Sequence, residues 1–199
     1  VQTCALPILI TMNTSTDIVF FGDSLTFGYG VKKQDCWVNK IIMTCNLKGI
    51  NSGCNGDTTA SMLSRYDKDV LSYNPSKIFI MAGTNDLMMG RSVKSIIANI
   101  ELMIKDALSL NHKVVVGIPP VILGDMAYLL FSQCSIYDYV EKELPNLRSS
   151  LIELCSKHNI SYIDFYNLTL NKPDLYLDGI HLNSKGNLSM YEASIDYFI

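Results

Sequence analysis

The sequence predicts an α/β protein built as three layers, with helices on both faces of a five-stranded parallel sheet. Three observations predict it. Short apolar runs that lack polar alternation recur along the chain, as expected of strands buried on both faces. Segments with apolar residues at helical spacing separate them. Each apolar run also ends in a loop rich in Gly, Ser, Asn, Asp or Pro. Parallel strands joined by right-handed helical crossovers give a flavodoxin-like doubly wound sheet, an α/β/α sandwich.

The elements follow in order. DIVFFG (17–22) is the first strand. A helix over about 35–47 has Trp37, Ile41, Ile42 and Cys45 on its apolar side, and Cys36 is assigned to it as well. A short strand lies near Ile50–Ser52. DTTASMLSRYDKDVL (57–71) is helical, with Asp57 or Thr58 as its cap. KIFIMAG (77–83) is the third strand. A helix over about 92–110 places Ile96, Ile97, Ile100, Met103, Ile104 and Ala107 at helical spacing. KVVVGI (113–118) is a strand stopped by Pro119 and Pro120. A helix over about 136–157, the strand ISYIDF (160–165) and a last helix over about 184–198 complete the pattern.

Composition narrows the function classes. The chain has 199 residues, 48% hydrophobic and 18% charged, which suits one domain with a full core over residues 12–199. A formal charge of −3 argues against a nucleic-acid or anionic-membrane surface. No apolar run approaches the about 20 residues of a membrane helix, so no stable membrane insertion is expected. Residues 1–8, VQTCALPI, coincide with the translation of a common sequencing-library adapter. Residues 1–11 are therefore read as a non-native segment, and Met12 as the expected start. Apart from Cys4, the cysteines are odd in number, irregularly spaced and without a CxxC pair, which fits free thiols in a cytoplasmic protein.

In a doubly wound fold the site lies beyond the C-terminal ends of the strands. The loops there are 22–34, 53–57, 83–91, 119–135 and 166–183. FFGDSLTFGYG places Ser24 directly after a strand. A serine hydroxyl becomes a useful nucleophile only beside a base. Its surroundings are not those of a GxSxG elbow, and Gly28-Tyr29-Gly30 lacks the third glycine of a dinucleotide fingerprint. NSGCNGDTT offers Gly53 and Gly56 ahead of a helix, where a backbone N–H can meet a negative oxygen. MAGTNDLMMG offers the Asn85 amide. LDGIHLN pairs Asp178 with His181 at a three-residue spacing. Taken singly, each loop also reads as ordinary turn chemistry, and LDGIHLN as an Asp-Gly turn into a helix capped by Asn183 or Ser184.

Together the four loops hold a nucleophile, a base, an acid and several donors. GDSLT, NGDTT, GTND and DGIHLN, in this order over nearly all of residues 17–199, resemble the SGNH (GDSL) hydrolase family. The resemblance implies Ser24 as nucleophile, His181 as base, and Asp178 as the acid that orients it. It implies an oxyanion hole of the Ser24 and Gly56 N–H groups and the Asn85 side chain. Asp23 and Asp86 are expected to brace the loops. The expected activity is hydrolysis of carboxylic esters or thioesters of small acyl groups through an acyl-serine, without cofactor or metal. A carbohydrate O-deacetylase or lysophospholipase on the same machinery is the alternative, and a non-catalytic binding module of the same fold is the rival from another class. Of the other histidines, His112 falls in a helix-to-strand turn on the far side of the sheet, and His158 at a helix C-terminus, where a cation suits the dipole. The apolar loop 119–135, with Met126, Tyr128, Leu129, Leu130 and Phe131, is expected either to wall an acyl pocket or act as a lid, or to hold a short core helix. Tyr29, Met88 and Met89 add apolar material, which favours short or medium acyl chains or aryl esters.

Overall fold

The computed structural model describes residues 16–199, so the readings of residues 1–11 and of Met12 lie outside the described residues. Five strands form one parallel sheet: β1 (Ile18–Gly22), β2 (Gly49–Gly53), β3 (Lys77–Met81), β4 (Lys113–Ile118) and β5 (Ser161–Asp164). Their order is β2-β1-β3-β4-β5. This is the doubly wound arrangement the sequence predicts, with its switch point between β1 and β3.

The helices are α1 (Ser24–Phe27), α2 (Trp37–Thr44), α3 (Thr59–Asp69), α4 (Thr84–Met88), α5 (Val93–Ser109), α6 (Gly124–Leu130), α7 (Tyr137–His158), α8 (Phe165–Thr169) and α9 (Ser184–Ser194). The strands alternate between two cores because successive side chains point to opposite faces. Val19, Phe21, Ile78, Ile80, Val114 and Val116 pack under α3, α5 and α7. Ile18, Phe20, Phe79, Met81 and Val115 pack under α2, α8 and α9. The second core is aromatic. Phe20 meets Trp37 edge-on at a 5.6 Å centroid separation, and Trp37 meets Phe165 at 5.3 Å.

Local chemistry explains the helix ends. Thr58 caps α3 with a capping box, its hydroxyl accepting from the Ser61 N–H and its own N–H donating to the Ser61 hydroxyl. Ser92 caps α5, and Asn183 caps α9 through Gly186 N–H. Some expected boundaries shift. Cys36 and Cys45 flank α2 as its caps rather than lying inside it. Residues 82–83 leave β3 to enter α4, which the sequence reading left within a loop. The last helix gives way to a 3₁₀ turn at Ile195–Tyr197. Within loop 119–135 the chain forms α6, whose Gly124 and Ala127 are buried while Tyr128, Leu129 and Leu130 face outward. Among the described residues, no helix is long and apolar enough to cross a membrane.

Candidate active site

Ser24 leaves the C-terminal end of β1 as the first residue of α1. Asp23 caps that short helix, Oδ1 accepting from Leu25 N–H at 2.9 Å. The aromatic core holds the same segment from below, where the Trp37 indole N–H donates to the Leu25 carbonyl at 2.9 Å. Buried packing therefore fixes the backbone around Ser24.

The loop that precedes α9 brings the histidine to the serine. His181 Nε2 lies 3.1 Å from Ser24 Oγ across 157 residues of sequence. His181 Nδ1 lies 2.8 Å from Asp178 Oδ2. The other carboxylate oxygen, Oδ1, accepts the N–H groups of Ile180 at 3.0 Å and His181 at 2.8 Å. Asp178 therefore folds its own loop and orients the ring it touches. Gly179 turns between them at φ +90°, and a Cβ there would stand 2.4 Å from Ala127 N. Partial burial works to raise the Asp178 carboxyl. The hydrogen bonds from the His181 ring and from the two backbone N–H groups outweigh it and hold the pKa below its ordinary value.

Two further loops face the same spot. Gly56 sits at φ +78°, exposed, in the turn between β2 and α3. Gly53, unlike Gly56, does not take a positive φ: it ends β2, and a Cβ there would fall 2.2 Å from Phe27 N, so the missing side chain lets α1 approach. Asn85 lies in the first turn of α4, and its Nδ2 donates to the Asp57 carbonyl at 2.9 Å. Among the described residues, neither the Ser24 nor the Gly56 N–H donates to another backbone group in a turn or loop. Ser24, Gly56, Asn85 and His181 line one cavity of about 200 Å³, together with Tyr29, Asn55, Met88, Phe131 and Ile180. A larger groove of about 890 Å³ runs along edge strand β2 past Phe27, Ile42 and Met43 and touches none of the sequence-predicted site residues.

The acids around these loops are almost entirely paired. Asp86 accepts Thr59 N–H and Oγ1–H, both at 2.8 Å, and pairs with Arg91 at 3.2 Å. It thereby ties α4 to α3. Among the described residues, no Lys or Arg pairs with Asp23. Burial pushes its carboxyl from the ordinary 3.8 up to about 7; the Leu25 N–H and His181 pull it down, while Asp57 and Asp86 add to the rise. Its Oδ2 stands 3.5 Å from Asn85 Nδ2.

Sequence reasoning missed Arg65. From α3 it donates to Asp57 Oδ2 at 2.6 Å and to Asp69 at 3.1 Å. It also donates to the carbonyls of Gly22 at 3.1 Å and Ser52 at 3.0 Å. One guanidinium thus joins the ends of β1 and β2 to the Gly56–Asp57 turn. Only the i,i+4 step to Asp69 is visible in the spacing of this helical Arg; its other three partners come from three other segments. Tyr29 does more than add apolar material: its ring packs on His181 at a 4.2 Å centroid distance. The remaining histidines lie elsewhere: His112 Nδ1 is 2.7 Å from the Pro75 carbonyl, and His158 Nε2 is 3.0 Å from Glu101.

Comparison with known proteins places the chain in a family. A family model described as the GDSL-like lipase/acylhydrolase family matches residues 20–188. An uncharacterized lipoprotein of Bacillus subtilis, YqeF, is 42% identical over 78 residues, a match that spans 35% of this chain and only 32% of that protein. The lipase/acylhydrolase of Enterococcus faecalis superposes with a TM-score of 0.75 at 28% identity, covering 92% of this chain and 94% of the other. A member of the lipolytic protein G-D-S-L family from Veillonella parvula gives 0.77 at 24% identity, with 92% and 97% covered. A catalytic mutant of Axe2, an acetylxylan esterase of Geobacillus stearothermophilus, gives 0.75 at 15%, with 92% and 94% covered. The last two likenesses concern the fold.

Proposed function

Since this chain belongs to the GDSL-like lipase/acylhydrolase family, we propose that it is a serine esterase that cleaves small carboxylic esters through an acyl-serine. The observation that carries the reading is the unbroken chain from Ser24 Oγ to His181 to Asp178, at 3.1 and 2.8 Å.

Ser24 Oγ attacks the ester carbonyl carbon while its proton passes to His181 Nε2. The imidazolium so formed donates from Nδ1 to Asp178, whose carboxylate stays ionised. Negative charge collects on the former carbonyl oxygen, which the N–H groups of Ser24 and Gly56 and the Asn85 amide stabilise. Asn85 gives one N–H to the Asp57 carbonyl at 2.9 Å; the other meets Asp23 Oδ2 only at a long 3.5 Å and turns to the oxyanion as charge develops there. The tetrahedral intermediate collapses, the C–O bond breaks, and Nε2 returns its proton to the departing alkoxide. Water then attacks the acyl-serine, again losing a proton to Nε2. Collapse of the second intermediate frees the carboxylic acid and restores Ser24.

The direct test compares wild type with Ser24→Ala on a chromogenic acetate ester, alongside labelling by a fluorophosphonate. The proposal expects one label per chain at Ser24 and a loss of at least about 1,000-fold in kcat for the variant. Equal rates for the two proteins would reject the assignment.

A further inference from the structure

The segments that carry Ser24, Asn85 and His181 each also turn an apolar side chain into the same cavity. Tyr29 follows Ser24, and its N–H donates to the Ser24 carbonyl at 3.0 Å. Met88 lies one helical turn beyond Asn85 on α4. Ile180 immediately precedes His181. Phe131 closes the wall from the end of α6, its ring centroid 5.5 Å from that of His181.

The helix that carries Phe131 is pinned. Leu123 N–H donates to the Gly179 carbonyl at 2.8 Å, inside the turn between Asp178 and His181. Gly124 N–H donates to Glu141 of α7 at 2.7 Å. Ala127 is fully buried beneath it. Of the roles open to this segment, the wall is the one these contacts fit, because the helix is tied to the acid–base loop itself.

The cavity is small, about 200 Å³, and open at its mouth, where Tyr29 and Phe131 remain partly exposed. Phe131 and Met88 line it beside Ser24 and His181, so an acyl chain that outgrows it runs along their side chains. Resting on the acyl-serine reading above, the geometry points to an acyl subsite for short linear chains, walled by Tyr29, Met88, Phe131 and Ile180. Phe131, assisted by Met88, is the residue that limits chain length.

The test is a series of p-nitrophenyl esters, from acetate through butyrate and octanoate to decanoate, each kept monomeric. Wild type should lose about ten-fold or more in kcat/KM between butyrate and octanoate. Phe131→Ala should raise the octanoate-to-butyrate ratio by about ten-fold, and Phe131→Leu should fall between the two. Leu129→Ala, an exposed position of α6 outside the cavity, should leave the profile unchanged. Fluorophosphonate labelling of Ser24 in each variant reports an intact site. A wild-type profile that is flat or rises to octanoate, with Ser24 labelled, overturns the chain-length limit and leaves the esterase reading standing. So does an unchanged ratio in labelled Phe131→Ala. No turnover of any ester and no labelling of wild type would overturn both.

Discussion

Asn85 Nδ2 donates to the backbone carbonyl of Asp57 at 2.9 Å, across 28 residues of sequence. Asp57 is the neighbour of Gly56, so this bond locks two donor loops to each other. One amide hydrogen sets the position of the side chain; the second makes only a long 3.5 Å contact with Asp23 Oδ2, and the proposed mechanism directs it to the reacting oxygen. Asn85→Ala should lower kcat by about 100- to 1,000-fold with little change in KM, because in the proposed mechanism the lost bond forms in the transition state. Steady-state kinetics on an acetate ester reads both constants.

Arg65 holds the same turn from behind. Removing it leaves Asp57, whose side chain is 9% exposed, without its cation. Arg65→Ala should cost about 3 kcal/mol in urea unfolding and lower kcat as the Gly56 turn relaxes. Arg65→Lys should recover only part of either, since a point charge cannot reach Asp57, Asp69 and the two strand-end carbonyls together.

Asp178→Asn keeps the shape of the acid–base loop but removes the acceptor that selects the His181 tautomer. A fall of about 10,000-fold in kcat is expected, with thermal unfolding changed little by comparison. The two readouts together separate ring orientation from folding.

Asp23 makes the protein's stability depend on pH in the direction opposite to an ion-paired acid. Its folded pKa is raised to about 7 from 3.8. Between those values the folded chain keeps a proton that the unfolded chain has lost, so stability falls as pH rises through this window. The loss is complete above about pH 7 and amounts to about 4 kcal/mol. Asp23→Asn retains the cap on α1 and removes the titration. Urea unfolding from pH 4 to pH 8 should therefore show the variant gaining on wild type as pH rises. Asp178 works the other way: its lowered pKa stabilises the fold above the ordinary carboxylate range, and that contribution is lost on acidification.

Gly179→Ala tests the joint between α6 and the acid–base loop. The position has φ +90°, and the new Cβ would stand 2.4 Å from Ala127 N and 2.6 Å from the Leu123 carbonyl oxygen. A stability loss of about 2 kcal/mol is expected, together with reduced turnover, as the loop and helix are forced apart. Thermal unfolding and ester hydrolysis on the same sample would show the two losses together.

Periodicity made the fold legible. The double-sided apolar runs IVFFG and KVVVGI predict buried parallel strands, and capping residues such as Thr58, Ser92 and Asn183 mark helix starts, because these signals act within a few residues. The strand-end positions of Ser24 and Asn85 and the three-residue step from Asp178 to His181 were legible for the same reason. The distance that joins them was not: the 3.1 Å from Ser24 to His181 spans 157 residues and exists only once β1 and the last loop meet above the sheet. The reach of Arg65 into three segments, the burial that lifts Asp23, and the placing of Phe131 on the cavity wall were likewise decided by tertiary structure. Local sequence fixes hydrogen-bond caps and hydrophobic period, whereas desolvation and long-range contact belong to the packed chain.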